Sequence, residues 1–219
     1  TGLKAYWKFN ETSGDIINQA TSIGSTDSLG TAADLQVTGA LYNQNKAPFG
    51  YSMLFDGVDD FAIAGTSKSQ FNFLHSTTAT WTIAFWMQLV GWTENNTYFD
   101  TAGHTSAPTL NGIWCASVYD DNVIRTQIST STASDWIVTN TSTGTNFIPN
   151  RTTPYFYCMT YDQSLASNNF TVTRDNANAV YGTKSATVPN NVDATHEFHI
   201  AKAGGSVGGV TSSNKYFTS

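Results

Sequence analysis

The sequence predicts an all-β fold, a jelly-roll sandwich of two antiparallel sheets. Three observations predict it. Few windows place apolar residues at i, i+3, i+4 and i+7, so helical periodicity is nearly absent. Short runs of period-two alternation recur along the chain. Between them stand clusters rich in Gly, Ser, Asn and Asp, at residues 22–30, 120–122, 162–168 and 204–209, which turn the backbone without a helix.

Taken in order, residues 3–9 and 34–38 open the series of expected strands. In 52–55, Met53 and Phe55 alternate with Ser52 and Leu54 until Asp56-Gly57 breaks the run. Alternation resumes in 61–64 with Phe61 and Ile63, after the acidic pair Asp59-Asp60. Residues 80–90 give the clearest strand. Trp81, Ile83, Phe85 and Met87 share one face and read as core, while Thr82, Ala84, Trp86 and Gln88 share the other. Trp86, among small and polar neighbours, either lines a solvent-facing sheet or lies beneath a loop. Residues 113–119, 123–130, 136–139, 155–161, 169–174 and 197–201 complete the series.

The bulk numbers bound the rest. At 219 residues the chain can build one sizeable core, and with no internal repeat or dividing linker it reads as a single domain over 1–219. Charged residues are 12% and aromatic residues 13%, the reverse of the balance that keeps a chain disordered. A net charge of −6 with no basic stripe argues against a nucleic-acid partner. No apolar run is long enough for a helix to cross a bilayer, so no membrane insertion is expected. Cys115 and Cys158 have no metal-ligand spacing; they are either two buried small hydrophobes or one inter-strand bridge. The abrupt start at Thr1-Gly2 and stop after Lys215-Tyr-Phe-Thr-Ser219 lead us to expect a piece of a larger protein.

Several runs carry a family likeness. Ala5-Tyr-Trp-Lys-Phe-Asn-Glu-Thr-Ser-Gly14 is followed by Phe55-Asp-Gly-Val-Asp-Asp-Phe61, then by Trp81-Thr-Ile-Ala-Phe-Trp-Met87 and Tyr155-Phe-Tyr-Cys-Met-Thr-Tyr-Asp162. Phe170-Thr-Val-Thr-Arg-Asp-Asn176 and His199-Ile-Ala-Lys-Ala-Gly-Gly205 come last. In this order, over 3–64 and 80–205, the chain resembles the laminin-G-like modules of the concanavalin A-like lectin and glucanase superfamily. The resemblance implies a jelly-roll binding module, often calcium-supported. One departure stands out: the closing strand G-x-I-D-E-V-R-I-Y has no counterpart after Phe217, so that strand is expected to be missing.

Catalysis is not expected. Jelly-roll hydrolases place carboxylates close together on one strand, whereas Glu11, Glu94 and Glu197 have no acidic partner at such spacing. His196-Glu-Phe-His199 lacks the helical H-E-x-x-H spacing, and on a strand its two rings would face opposite ways. These histidines, with His75 and His104, therefore read as surface or structural. Calcium has better candidates, because hard cations take carboxylate and carbonyl oxygens from loops. Asp56, Asp59 and Asp60 form one acidic turn, and Asp120 and Asp121 a second, the alternative being a tight turn and a solvated edge. For carbohydrate, the candidate stacking residues are Trp92, Tyr98, Trp114, Tyr119 and Trp136, with Asn95, Asn96 and Asn122 as polar partners. Ordinary core packing accounts for such aromatics in most β proteins.

The function expected is a non-catalytic, lectin-like recognition or adhesion module that binds a polysaccharide or cell-surface glycan outside the cell, with Ca2+ as the one candidate cofactor. The alternative is a structural domain of a virion fibre, decoration protein or surface layer, whose partners are other subunits of an assembly. Low charge and heavy Ser, Thr and Asn content suit both.

Overall fold

The period-two runs assemble into two sheets in a computed structural model that describes residues 2–47, 50–56, 58–89, 96–102, 111–118, 123–130, 133–138, 153–175, 179–183, 192–201 and 215–218. In chain order the strands are β1 (Leu35–Thr38), β2 (Leu41–Ala47), β3 (Gly50–Phe55), β4 (Phe61–Ala64), β5 (Thr80–Leu89), β6 (Asn96–Asp100) and β7 (Gly112–Val118). They continue with β8 (Val123–Thr130), β9 (Ala133–Val138), β10 (Tyr155–Asp162), β11 (Phe170–Arg174), β12 (Val180–Gly182), β13 (Phe198–Ile200) and β14 (Lys215–Thr218). The first sheet runs β1-β4-β13-β6-β7-β8-β9 and the second β12-β11-β10-β5-β14-β3-β2. Neighbours pair antiparallel throughout. The protein is an all-β sandwich, as the alternation predicts.

One face of each sheet supplies the core. Met53 and Phe55 of β3, Met87 of β5, and Tyr157 and Met159 of β10 are buried against Phe99, Ile113, Cys115 and Ile128 of the first sheet. Burying one such apolar side chain contributes about 1.5–3 kcal/mol relative to leaving it in water. Phe198 of β13 stacks on Phe71, Phe99 and Trp7, with ring centroids 4.9, 5.9 and 5.9 Å away. Cys115 faces this core, where burial pushes its thiol pKa up to about 12 against a hydrogen bond from Thr126. Cys158 is half-buried on the opposite side of the second sheet, and both thiols are free, so no bridge joins them.

Two expectations are corrected. Residues 3–9 form no strand, because their backbone finds partners outside any ladder. The Asn18 side chain accepts from Tyr6 N–H (2.9 Å), Trp7 Nε1–H donates to Ala33 O (2.7 Å), and Leu29 N–H donates to Lys4 O (2.9 Å). The slot for a closing strand is filled. β14 lies between β3 and β5, with Phe217 opposite both Met53 and Met87. Four residues suffice there because each side of the strand has a neighbour to pair with, so no long motif is required.

Strand β6 was not expected, and its irregularity explains why. The register with β7 shifts between Thr97 and Phe99, a bulge at Tyr98. Consecutive residues Tyr98 and Phe99 are therefore both buried, and both contact Phe85, at 6.1 and 6.3 Å between ring centroids. Two inward residues in a row erase the alternation by which a strand is read.

Candidate functional site

Three groups of side chains stand apart from the core. The first is the turn between β3 and β4. Asp56 Oδ1 accepts from the N–H of Val58 (2.8 Å) and Asp59 (3.4 Å), and Asp60 Oδ2 accepts from Asp56 N–H (2.8 Å). Two of the carboxylates thus shape the turn itself, as Asx-type turns do. Gly39, at φ +77°, lies against Asp60, where a Cβ would overlap the carboxylate. One oxygen from each of Asp56, Asp59 and Asp60 lies within 4.8 Å of the others. Burial raises the Asp60 pKa; the bond from Asp56 N–H opposes that rise, and the charges of Asp56 and Asp59 add to it.

The second group lies on the side of the second sheet away from the core. Cross-strand partners share a face. Thr160 of β10 stands opposite Thr82 of β5 and Thr171 of β11, and Thr171 stands opposite Tyr181 of β12. In the next row Cys158 lies between Ala84 and Thr173. Phe156 then lies opposite Trp86, their rings 5.4 Å apart and tilted by 52°. Phe156 is 36% exposed, Tyr181 is 50% exposed, and Trp86 is half-buried. Of the two readings of Trp86, the solvent-facing one describes its setting among the described residues.

The third group joins β6 to the segment entering β13. His199 stands opposite Asp100 in the ladder. His196 Nε2 is 3.3 Å from Asp100 Oδ2, and the His196 and His199 rings stack with centroids 4.3 Å apart at 16°. Burial alone would lower the His196 pKa, but Asp100 and Glu197 outweigh it and hold it above the usual histidine range. The two rings do not face opposite ways as the sequence predicts, because strand geometry begins only at Phe198 and 195–197 form a bend. The signal available in the sequence was the polar Thr195-His196-Glu197 run, which need not continue the alternation of β13.

Of the aromatic sugar candidates, Tyr98, Trp114 and Trp136 lie among the described residues. Tyr98 and Trp114 are both fully buried, with no ring face open to a sugar. Tyr98 is turned into the core by the bulge, and Trp114 donates its Nε1–H to Thr97 Oγ1 (2.9 Å). The register places Trp136 of β9 opposite Gln127. Trp92, Tyr119 and Asn122 lie outside the described residues, as do the calcium candidates Asp120 and Asp121. Phe156 and Tyr181, which sequence reasoning left out, are exposed on the sheet face instead.

No protein-family model matches the chain, and no curated protein matches it. Solved structures do. Trypanosoma rangeli sialidase in complex with 2,3-difluorosialic acid, a covalent intermediate, superposes with a TM-score of 0.55 at 15% identity, over 99% of this chain and 29% of the sialidase. The same sialidase with a difluoro-KDN ligand gives 0.55 at 14% identity, with the same coverage. The receptor binding domain of botulinum neurotoxin type G gives 0.55 at 9% identity, over 99% of this chain and 46% of that one. The likeness is one of fold. This chain spans less than half the length of each of these structures, and at such identities the shared sandwich assigns no activity.

Proposed function

We propose that the chain is a non-catalytic, laminin-G-like recognition module of a larger extracellular or surface protein, binding carbohydrate on the outer face of its second sheet. The observation that carries this reading is the Trp86–Phe156 pair beside a field of threonine hydroxyls. Sugars offer C–H faces that stack on aromatic rings and hydroxyls that pair with small polar side chains. From β12 to β5 the face is about 14 Å across, three strand spacings of about 4.8 Å. The same sandwich occurs within a sialidase solved with a sialic-acid derivative and within a receptor-binding domain, which is compatible with this role and does not name a ligand. Calcium enters as a support. Asp56, Asp59 and Asp60 would hold it, and it would neutralise their mutual repulsion and stiffen the turn.

A glycan array probed with and without EDTA tests the proposal. Trp86→Ala and Phe156→Ala are each expected to weaken binding of any retained glycan about tenfold, a loss of about 1.4 kcal/mol. The same glycan should slow alkylation of Cys158, which shares that face. An array blank under both conditions, from a chain that self-assembles into large oligomers, would instead favour a structural role in a fibre or surface layer.

A further inference from the structure

The Asp100–His196–His199 cluster gathers two imidazoles and a carboxylate at one spot. Alternation turns Asp100 and His199 away from the core, since their strand neighbours Phe99 and Ile200 belong to it. His196 reaches the same spot because its N–H donates to Thr101 O (3.1 Å) and the adjacent Thr195 N–H donates to Asn111 O (2.8 Å). For Asp100 and His196 the atom pointing away from the centre is already engaged. Asp100 Oδ1 accepts from Ala102 N–H (2.9 Å), and His196 Nδ1 is 3.0 Å from Glu197 O. Anchoring a histidine through its second nitrogen to a carbonyl is the usual way a ligating imidazole is aimed. Asp100 Oδ2 and His196 Nε2 then face each other at 3.3 Å. That is long for a charge-assisted hydrogen bond, about 2.7–2.9 Å. It is the edge, about 3.3–3.4 Å, of a tetrahedron with bonds of about 2.0–2.1 Å. A ring nitrogen of His199 completes a trio of atoms all within 4.8 Å of one another.

We propose that Asp100, His196 and His199 bind one divalent transition-metal ion, zinc first, with the remaining position open to water or an outside ligand. Two imidazole nitrogens and one carboxylate oxygen suit zinc and its neighbours, whereas calcium takes an all-oxygen sphere. Asp100 is fully buried, and His196, with 12% of its side chain exposed, gives the ion a way in. The ion would fasten the segment entering β13 to β6, two strands whose ladder has two register pairs, His199–Asp100 and Ile200–Phe99. This site is independent of the carbohydrate reading, since it lies on the first sheet and the proposed sugar face on the second.

The test is zinc titration of the full chain after chelator treatment, read by calorimetry and by thermal unfolding. Expected are one equivalent per chain and a midpoint raised by roughly 5–10 °C at a hundredfold excess over Kd. His196→Gln and His199→Gln should each weaken binding at least about tenfold, while Asp15→Asn, at an exposed carboxylate outside both acidic clusters, leaves it unchanged. No zinc heat and no midpoint shift in the wild type would overturn the proposal, as would undiminished binding in both histidine variants. If either variant fails to fold, Co2+ titration of the wild type decides. Ligand-field absorption of a mixed nitrogen–oxygen site supports the proposal, and a featureless spectrum overturns it.

Discussion

His75 is fully buried at the end of the 3-10 turn Lys68–Leu74, with Nε2 2.9 Å from Val192 O. Burial lowers its pKa, and the Val192 carbonyl and the Asp193 charge only partly oppose that. The folded chain thus keeps His75 neutral where the unfolded chain takes up a proton. Its contribution to stability is complete above about pH 6.5 and is lost as pH falls from there towards the lower folded value. Unfolding midpoints measured from pH 8 to pH 5 should fall more steeply for the wild type than for His75→Gln. Parallel curves would refute this. Other titrating groups, His196 with its opposite shift included, cancel in that comparison. At this scale the sequence was informative about composition and poor about company. It gave no sign that His196 meets Asp100, because the contact depends on where β13 begins. Nor did it show that Trp114, which alternates with the core residues Ile113 and Cys115, is itself buried.

Elements whose pattern is local were legible. Met53 and Phe55 of β3 and Trp81 and Met87 of β5 lie in the core, with Ile83 and Phe85 packed against it, as the alternation predicts. β6 was hidden by its bulge, and residues 3–9 were misread because alternation says which side chains are apolar without saying where the backbone bonds go. The answer there is Asn18, 7% exposed. Its side chain accepts from Tyr6 and Ala20 N–H (2.9 and 3.0 Å) and donates to Gly30 O (3.0 Å) and Ser28 Oγ (3.3 Å). Asn18→Ala would strip partners from several half-buried backbone groups together. We expect a loss of about 2–4 kcal/mol in denaturant unfolding, from net bonds of about 1 kcal/mol each plus unsatisfied groups. A loss below about 0.5 kcal/mol would mean that the segment is held by Trp7 packing on Phe198 instead.

For the whole molecule, the all-β sandwich was evident from the sequence and the strand order was not, since order depends on pairings between segments far apart in the chain. β14 is the clearest case. Deleting residues 215–219 should leave the second sheet divided between β3 and β5, with unpaired edges on both sides of the gap. The shortened chain is expected to aggregate or unfold at lower denaturant, and an added peptide spanning 211–219 should restore part of the loss. A full-strength monomer without those residues would show β14 to be dispensable. The position of β14 also orders events in time. On a ribosome, β2–β3 and β5–β10–β11–β12 emerge as two separate ribbons, and the strand that joins them is made after both. The second sheet can therefore close only when synthesis has passed residue 218, so its completion is a late and slow step, and until then a growing chain exposes two sticky edges to its neighbours.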